Sequence, residues 1–224
     1  NRQPRPDADV YACQMSAKFA VLGHTVDAPS LGEVRGLEGT PALVVVSATG
    51  VIEQVTRTGA VEAADKLEAQ GIDVKRLGPR EYLVPGFVDC HIHTSQWAYM
   101  GTGIDKPLMA DDGFLAKYAF PAESSLNDET ARAVYGAALD DMLRNGTTTG
   151  LIFGSARADA SRHLVSLAIE RRGPRSLVGK VGMDRYCPEG YVETTAQSLA
   201  DMEEFIVHTK AANAQAQGEA AAGA

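Results

Sequence analysis

Short apolar runs follow one another through the first third of the chain, and their spacing predicts a small β-sheet. Each run is rich in β-branched residues and has the length of a strand. The runs cover residues 17–23, 42–50 and 51–57. A turn around Gly50 joins the last two runs, and a helix is predicted over 61–71, where Gly71 ends it. Residues 1–82 are therefore predicted to form a β-rich segment.

From residue 83 the pattern changes to strands that alternate with helices. Strands are predicted at 87–93, 147–153 and 176–184, and helices over 128–146, 158–173 and 193–212. This alternation is typical of a parallel sheet in an α/β fold. No phosphate-binding glycine motif opens a helix, which favours a TIM-like (β/α)₈ barrel over a doubly wound sheet. Three units over 83–210 predict an incomplete barrel, and 211–224 is predicted to be a low-complexity tail.

Composition and charge narrow the range of partners and compartments. The 224 residues carry 21 Lys and Arg against 29 Asp and Glu, a net charge of −8, with no basic run. This balance argues against nucleic acid and against an anionic membrane as partners. The cysteines at 13, 90 and 187 are too widely spaced for a disulfide framework, and no apolar stretch suits a signal peptide or membrane span. A cytoplasmic protein is predicted.

Two histidines separated by one residue end the predicted strand 87–93. Side chains at alternate positions of a strand share a face, so His91 and His93 lie side by side, with Asp89 on the same face. Two imidazoles at the carboxyl end of a parallel strand can bind one divalent cation such as Zn²⁺. The alternative is an ordinary polar strand face, because two ligands do not complete a zinc site. The preceding Pro85-Gly86, the apolar strand and Asp89 favour the metal.

The stretch "PGFVDCHIH" resembles the first barrel strand of the amidohydrolase superfamily, whose hallmark is PGxxDxHxH. Four further stretches, in order, resemble the guanine deaminase family within it. They are "HIHTSQWAYMGTGIDKPL", "KYAFPAE", "NGTTTG" and "GKVGMD". The resemblance extends from about Tyr82 to about Val207, and more loosely through the predicted N-terminal sheet. It implies that the incomplete barrel is an amidohydrolase barrel.

The resemblance implies a specific chemistry for three residues. His91 and His93 would bind one Zn²⁺ per subunit, with Fe²⁺ as the alternative, and the metal would lower the pKa of a water molecule. The reaction would be the hydrolytic deamination of guanine to xanthine and ammonia, a step of purine catabolism. His93 and Gln96 would contact the purine, since an amide offers a donor and an acceptor. The alternative for Gln96 is a solvated loop side chain. The complete enzyme would be a homodimer.

Other positions in the matching stretches have structural interpretations. Trp97 is interpreted either as a wall of the purine pocket or as a core residue. Asp89 is expected to orient the strand end or a metal ligand through a hydrogen bond. Residues 120–123 are expected to end a loop, and residues 147–149 to begin a strand. No chemistry is assigned to any of these positions.

The sequence departs from the family after His93. Guanine deaminases complete the metal site with later histidines and an aspartate, and use a glutamate for proton transfer and an arginine for the purine. Here only His163 and His208 follow, both inside predicted helices, where solvated side chains are expected. We therefore expect the N-terminal part of a guanine deaminase, with doubtful activity on its own. The loop "PLMADDGFLAKY" is also longer and more acidic than in the family, which weakens the substrate prediction.

Three alternatives differ in their predictions. Another deaminase or amidase of the same superfamily would act on a different ring. A non-catalytic amidohydrolase-like binding protein would hold no metal. A cytidine-deaminase-type zinc enzyme needs HxE followed by PCxxC, and neither occurs. The first two remain open from the sequence.

Overall fold

The computed structural model describes residues 19–36, 39–171 and 173–222. Cys13 and the β-like pattern before residue 19 lie outside the described residues. The chain divides into two compact units, with the boundary between Pro85 and Gly86. The sequence predicted this boundary three residues earlier, after position 82.

The strands and helices alternate along the chain as follows. The strands are β1 Phe19–Thr25, β2 Asp27–Ser30, β3 Glu33–Arg35, β4 Pro41–Val46, β5 Ile52–Thr56, β6 Asp73–Arg76, β7 Tyr82–Leu83, β8 Phe87–His93, β9 Thr147–Phe153 and β10 Arg175–Gly179. The α-helices are α1 Ala60–Ala69, α2 Phe120–Ser124, α3 Asp128–Arg144, α4 Ala158–Glu170 and α5 Thr195–Ala222. A 3₁₀ turn, Thr94–Tyr99, follows β8, and a π-helical turn, Leu115–Ala119, precedes α2.

The first unit contains the predicted sheet, in the order β5-β4-β1-β6, with β7 beside the end of β1. β4 lies antiparallel to β1, and β6 lies parallel to it. Leu22 and Leu43, which are paired across these strands, form a core with Ala60 and Ala64 of α1. The helix ends near its predicted position, and Gly71 adopts a φ of 81° that glycine accommodates without a steric penalty.

The second unit is a parallel sheet in the order β10-β9-β8. Ile92 of β8 faces Ile152 of β9, and both lie on the face that α3 and α4 cover. Tyr135, Leu139 and Leu164 of these helices complete the core. The predicted α/β class is confirmed, and among the described residues the three β/α units are consistent with part of a TIM-like barrel.

Local capping explains why α3 begins and ends where the sequence indicates. The Asn127 Oδ1 atom accepts a hydrogen bond from the Thr130 backbone N–H, and the Thr130 hydroxyl accepts one from the Asn127 N–H. Gly146 ends the helix region with a φ of 88°, and its carbonyl accepts a hydrogen bond of 2.8 Å from the Phe87 N–H. This bond aligns the starts of β8 and β9.

Several elements differ from the prediction for identifiable reasons. β10 ends at Gly179 rather than at 184, and beyond it the backbone N–H of Met183 bonds to the Glu193 carboxylate. Residues 120–124 form a short helix rather than the end of a loop. Residues 211–222, predicted as a tail, continue α5, since alanine, glutamine and glutamate favour helix.

The apolar side chains of α5 are buried only in part. Phe205 is 3% exposed, whereas Leu199 is 63% and Ile206 45% exposed. α5 packs against α4, and Thr195 at its start donates a hydrogen bond to Asp184. No helix in the described part of the chain combines the length and apolar character needed to cross a membrane.

Candidate metal centre

The two predicted histidines lie together at the carboxyl end of β8. Strand alternation places Asp89, His91 and His93 on one face, while Ile92 points to the helix-covered core. The Nε2 atoms of His91 and His93 are 3.2 Å apart, and their ring planes are tilted by 56°. The local rule of strand geometry is therefore sufficient to bring the two ring nitrogens together. We call these two residues the histidine pair.

Phe153, at the end of β9, packs against both rings of the histidine pair. Its ring centroid lies 4.5 Å from that of His91, and 5.0 Å from that of His93 in a stacked arrangement. Phe153 stands opposite His93 in the strand register. Sequence reasoning missed this contact, although the equal length of the two predicted strands was a signal that their ends would meet.

Burial and charge both favour the neutral form of His93. Desolvation lowers the pKa of His93, and the neighbouring charge of His91 lowers it further. A neutral imidazole is the form that donates a lone pair to a metal ion. Asp89 accepts a hydrogen bond of 3.0 Å from the His91 backbone N–H, so its carboxylate contacts the strand backbone rather than a histidine ring.

The spacing of the histidine pair fits a tetrahedral metal. Two nitrogen ligands at zinc–nitrogen distances of 2.0–2.1 Å and a tetrahedral angle lie about 3.3 Å from each other. The observed separation of the Nε2 atoms is 3.2 Å. Within the described ranges no third His, Cys, Asp or Glu joins them in a group that could hold a metal. The histidine pair thus offers two ligands of the four that zinc takes.

Gln96 and Trp97 lie in the 3₁₀ turn that directly follows His93. Gln96 is half-buried, and its amide makes no hydrogen bond to another side chain or backbone group in the described part of the chain. Trp97 is also half-buried, and its indole N–H donates a hydrogen bond of 2.8 Å to Asp141 Oδ2 on α3. Trp97 therefore anchors the turn to α3.

A buried carboxylate lies near the same turn and escaped sequence reasoning. Glu123 is 6% exposed, and Ser95 donates a hydrogen bond of 2.8 Å to its Oε1 atom. The Tyr191 hydroxyl donates to Oε2 and accepts a bond of 3.2 Å from the Ala156 N–H. We call Ser95, Glu123 and Tyr191 the Glu123 cluster. Its one signal in the sequence was an acid inside the mostly apolar stretch "KYAFPAE".

Burial dominates the electrostatics of Glu123. Desolvation raises the pKa of its carboxyl group, although the hydrogen bonds from Tyr191 and Ser95 oppose this effect. The pKa of the Tyr135 hydroxyl is raised mainly by burial of that side chain, and the charge of Glu123 raises it further. Glu123 is thus a carboxyl group inside the protein, with both oxygens satisfied by hydroxyl donors.

The two later histidines are more buried than the sequence predicted. His163 of α4 is 20% exposed and lies 3.0 Å from an Asp128 carboxylate oxygen. The Nε2 atom of His208 on α5 is buried, with no partner in the described part of the chain. The packing of α4 against α3 and α5 covers both side chains. Both lie in helices, as predicted, and neither is at a strand end.

The parallel sheet and the histidine motif agree with the class of metal-dependent hydrolases, and family comparison supports this class. The Amidohydrolase family matches residues 82–222, so the chain belongs to this family. Membership implies a divalent metal ion, and among the described residues the histidine pair suits one best. Several curated relatives share one name.

The chain is similar to proteins named guanine deaminase. It is 44% identical to that of Dictyostelium discoideum over 127 residues, which are 56% of this chain and 27% of the relative. It is 39% identical to that of Homo sapiens over 137 residues, which are 60% of this chain and 29% of the relative. The predicted resemblance is confirmed, and the matches span about a third or less of these relatives.

Solved structures agree with the sequence comparison. The structure of guanine deaminase from C. acetobutylicum, with bound guanine in its active site, matches with a TM-score of 0.70 and 29% identity. The match covers 85% of this chain and 42% of that one. The agreement in fold extends over most of the described residues of both units.

Proposed function

We propose that this chain contributes the first metal ligands and a purine-contacting side chain to a guanine deaminase. The reaction is the hydrolysis of guanine to xanthine and ammonia. The observation that carries the proposal is the 3.2 Å separation of the two Nε2 atoms at the exit of β8, in a chain whose relatives are guanine deaminases. Zinc catalytic centres use three protein ligands, so the histidine pair is part of a site.

The spacing of the histidine pair suits two ligands of a tetrahedral Zn²⁺ ion. Burial and the neighbouring His91 lower the pKa of His93, and Phe153 packs against both rings. When bound, zinc supplies a nucleophile at neutral pH, because it lowers the pKa of a water molecule. The protein's part is to present two lone pairs to one point.

Gln96 is assigned to the purine. Its amide carries a donor and an acceptor side by side, which complements the alternating groups on a purine edge. The amide is not used within the described residues, and it lies three residues after His93 in a turn that Trp97 anchors. His93 is assigned a second contact with the same purine.

Several wider properties belong to the same proposal. They are one zinc ion per subunit, a role in purine catabolism, a small-molecule purine as partner, a homodimeric complete enzyme and a cytoplasmic location. The family relationship supports the divalent metal, and the similarity to a guanine-bound deaminase supports the purine. Since the chain spans about a third of its curated relatives, the activity of the whole enzyme is part of the proposal.

Calorimetric zinc titration tests the ligand assignment. We expect His91→Ala and His93→Ala each to weaken zinc binding by about tenfold or more, because each removes one of two ligands. The matched control is His163→Ala, which removes a half-buried histidine from α4 and leaves zinc affinity unchanged. Equal affinities in all four proteins would contradict the assignment.

Guanine titration of the zinc-loaded chain tests the substrate assignment. We expect guanine to bind in preference to cytosine, and Gln96→Ala to weaken it about fivefold or more through the loss of two hydrogen bonds. Gln70→Ala, an exposed glutamine after α1, is the control. Xanthine release is followed in the same samples. The absence of guanine binding to a zinc-loaded chain would contradict the assignment.

A further inference from the structure

The Glu123 cluster connects three loops that follow three neighbouring parallel strands. Ser95 lies just after β8, Ala156 just after β9, and Tyr191 in the loop after β10. Glu123 accepts from Ser95 and Tyr191, and Tyr191 accepts from the Ala156 N–H. One buried carboxyl group is thus the common point of the loops at the carboxyl end of this sheet.

The Glu123 cluster is hydrogen-bonded to the 3₁₀ turn Thr94–Tyr99, because Ser95 belongs to both. Ser95 is 3% exposed, and its hydroxyl is held by Glu123. Two residues later, Trp97 is held by Asp141 of α3. Gln96 lies between these two anchored residues, and its own amide is not used within the described residues. Both neighbours therefore hold the backbone of Gln96 in place, and only its side-chain torsions are left to adjust.

The chemistry of Glu123 suits a positioning role better than simple core filling. An apolar side chain at this place would avoid the desolvation of a carboxyl group. A carboxyl group, however, can accept from two hydroxyls on different loops with defined directions, which an apolar side chain cannot do. Side chains held by such a supporting shell give a binding site its geometry before the ligand arrives.

We propose that Glu123 is a positioning residue that, through Ser95, holds the turn Thr94–Tyr99 and fixes the place of Gln96 beside His93. The value of this arrangement to guanine binding rests on the proposed function. The holding of the turn itself does not. The two parts can therefore be tested by different measurements on the same variants.

Trp97 is the only tryptophan in the sequence, so it reports on this turn alone. The measurement is quenching of its fluorescence by acrylamide, at a temperature where far-UV circular dichroism shows each variant folded. We expect Glu123→Leu to raise the quenching constant about twofold or more, because a released turn opens to solvent. Glu123→Gln keeps an oxygen acceptor for Ser95, although an amide N–H replaces the acceptor of the Tyr191 hydroxyl. Because the bond to the turn is kept, this variant should restore a nearly native value.

Glu193→Gln is the matched control for a general loss of stability. Glu193 is also a largely buried carboxylate of this unit, and its partners are Lys180 and the Met183 N–H, outside the turn. This variant should unfold at a lower temperature but leave Trp97 quenching unchanged. An equal rise in quenching for Glu193→Gln and Glu123→Leu would overturn the proposal, since a structural role alone explains it.

Ser95→Ala keeps the test decisive if Glu123→Leu does not fold. It removes only the bond between the turn and Glu123, and it should raise Trp97 quenching while Tyr191→Phe raises it less. Unchanged quenching in Ser95→Ala would overturn the positioning role, whatever guanine does. With the turn released, we expect guanine affinity of the zinc-loaded chain to fall together with the quenching change. Failure of guanine to bind the unaltered protein would remove only the proposed function.

Discussion

The histidine pair and the Glu123 cluster satisfy their polar atoms in opposite ways. In the histidine pair, the Nε2 atoms face each other 3.2 Å apart at the open end of β8, and no third metal-binding side chain of the described residues joins them. In the Glu123 cluster, both carboxylate oxygens are taken by hydroxyl donors inside the protein. In the first arrangement the ring nitrogens contact each other at an exposed strand end, whereas in the second both acceptor oxygens bind hydroxyls that hold loops.

The difference has a physical consequence for stability and for binding. An exposed imidazole exchanges its hydrogen bonds with water, so its removal costs little when no ligand is bound. A buried carboxyl group has no water to replace its partners, so its removal leaves two hydroxyl groups unsatisfied. We therefore expect stability and metal affinity to respond to different substitutions.

The largest expected effect is on folding. Glu123→Leu should lower the free energy of unfolding by about 2–4 kcal/mol, because it leaves the buried hydroxyls of Ser95 and Tyr191 without their hydrogen-bond partner. His91→Ala, without metal, should change it by less than about 0.5 kcal/mol. Urea unfolding followed by circular dichroism measures both values. A larger loss in His91→Ala than in Glu123→Leu would reverse the comparison.

The next effect is on the response to metal. Zinc at about one hundred times its dissociation constant should stabilise the folded protein by about 2.7 kcal/mol, and a chelator should remove this gain. The gain should be lost in His91→Ala and His93→Ala and kept in Ser95→Ala. Thermal unfolding with and without zinc measures it. Retention of the gain in both histidine variants would place the metal elsewhere.

A smaller effect concerns pH. Burial raises the pKa of Glu123 in the folded protein above its ordinary value of 4.5. At pH values between the pKa of the unfolded chain and the higher pKa of the folded protein, the folded state keeps a proton that the unfolded chain has lost. Stability should therefore be full below pH 4.5 and fall as pH rises through the folded pKa, by at most about 1.4 kcal/mol per pH unit.

Glu123→Gln is the comparison that isolates this pH dependence. Its amide does not titrate, so its stability curve should lack the decline seen in the unaltered protein. The neighbouring hydroxyls of Tyr99, Tyr135 and Tyr191 have raised pKa values and stay neutral throughout this range. Parallel curves for the two proteins, measured by urea unfolding at several pH values, would show that another group is responsible.

The smallest expected effect sharpens the role of Asp89. Its carboxylate bonds to the His91 backbone N–H and not to an imidazole. Asp89→Ala should therefore weaken zinc binding by less than about tenfold, below the loss expected when a residue that orients a ligand ring is removed. Calorimetric titration beside His93→Ala gives the comparison. A loss equal to that of His93→Ala would make Asp89 a ligand.

The sequence by itself determined the features that depend on local geometry. Strand alternation places His91 and His93 on one face, and the Asn127 capping box and Gly146 set the limits of α3. These features follow from torsion preferences and side-chain direction over a few residues. The motif around the histidine pair was readable for the same reason.

Only the tertiary structure decided which distant residues meet. Glu123 bonds to residues 28 and 68 positions away, and Trp97 bonds to one 44 positions away. These contacts depend on how α2, α3 and the loops pack onto the sheet, and no local periodicity encodes them. The same packing half-buries His163, which was expected to be solvated. Local geometry therefore specified the strand face that carries the histidine pair, and long-range packing supplied the contacts behind it.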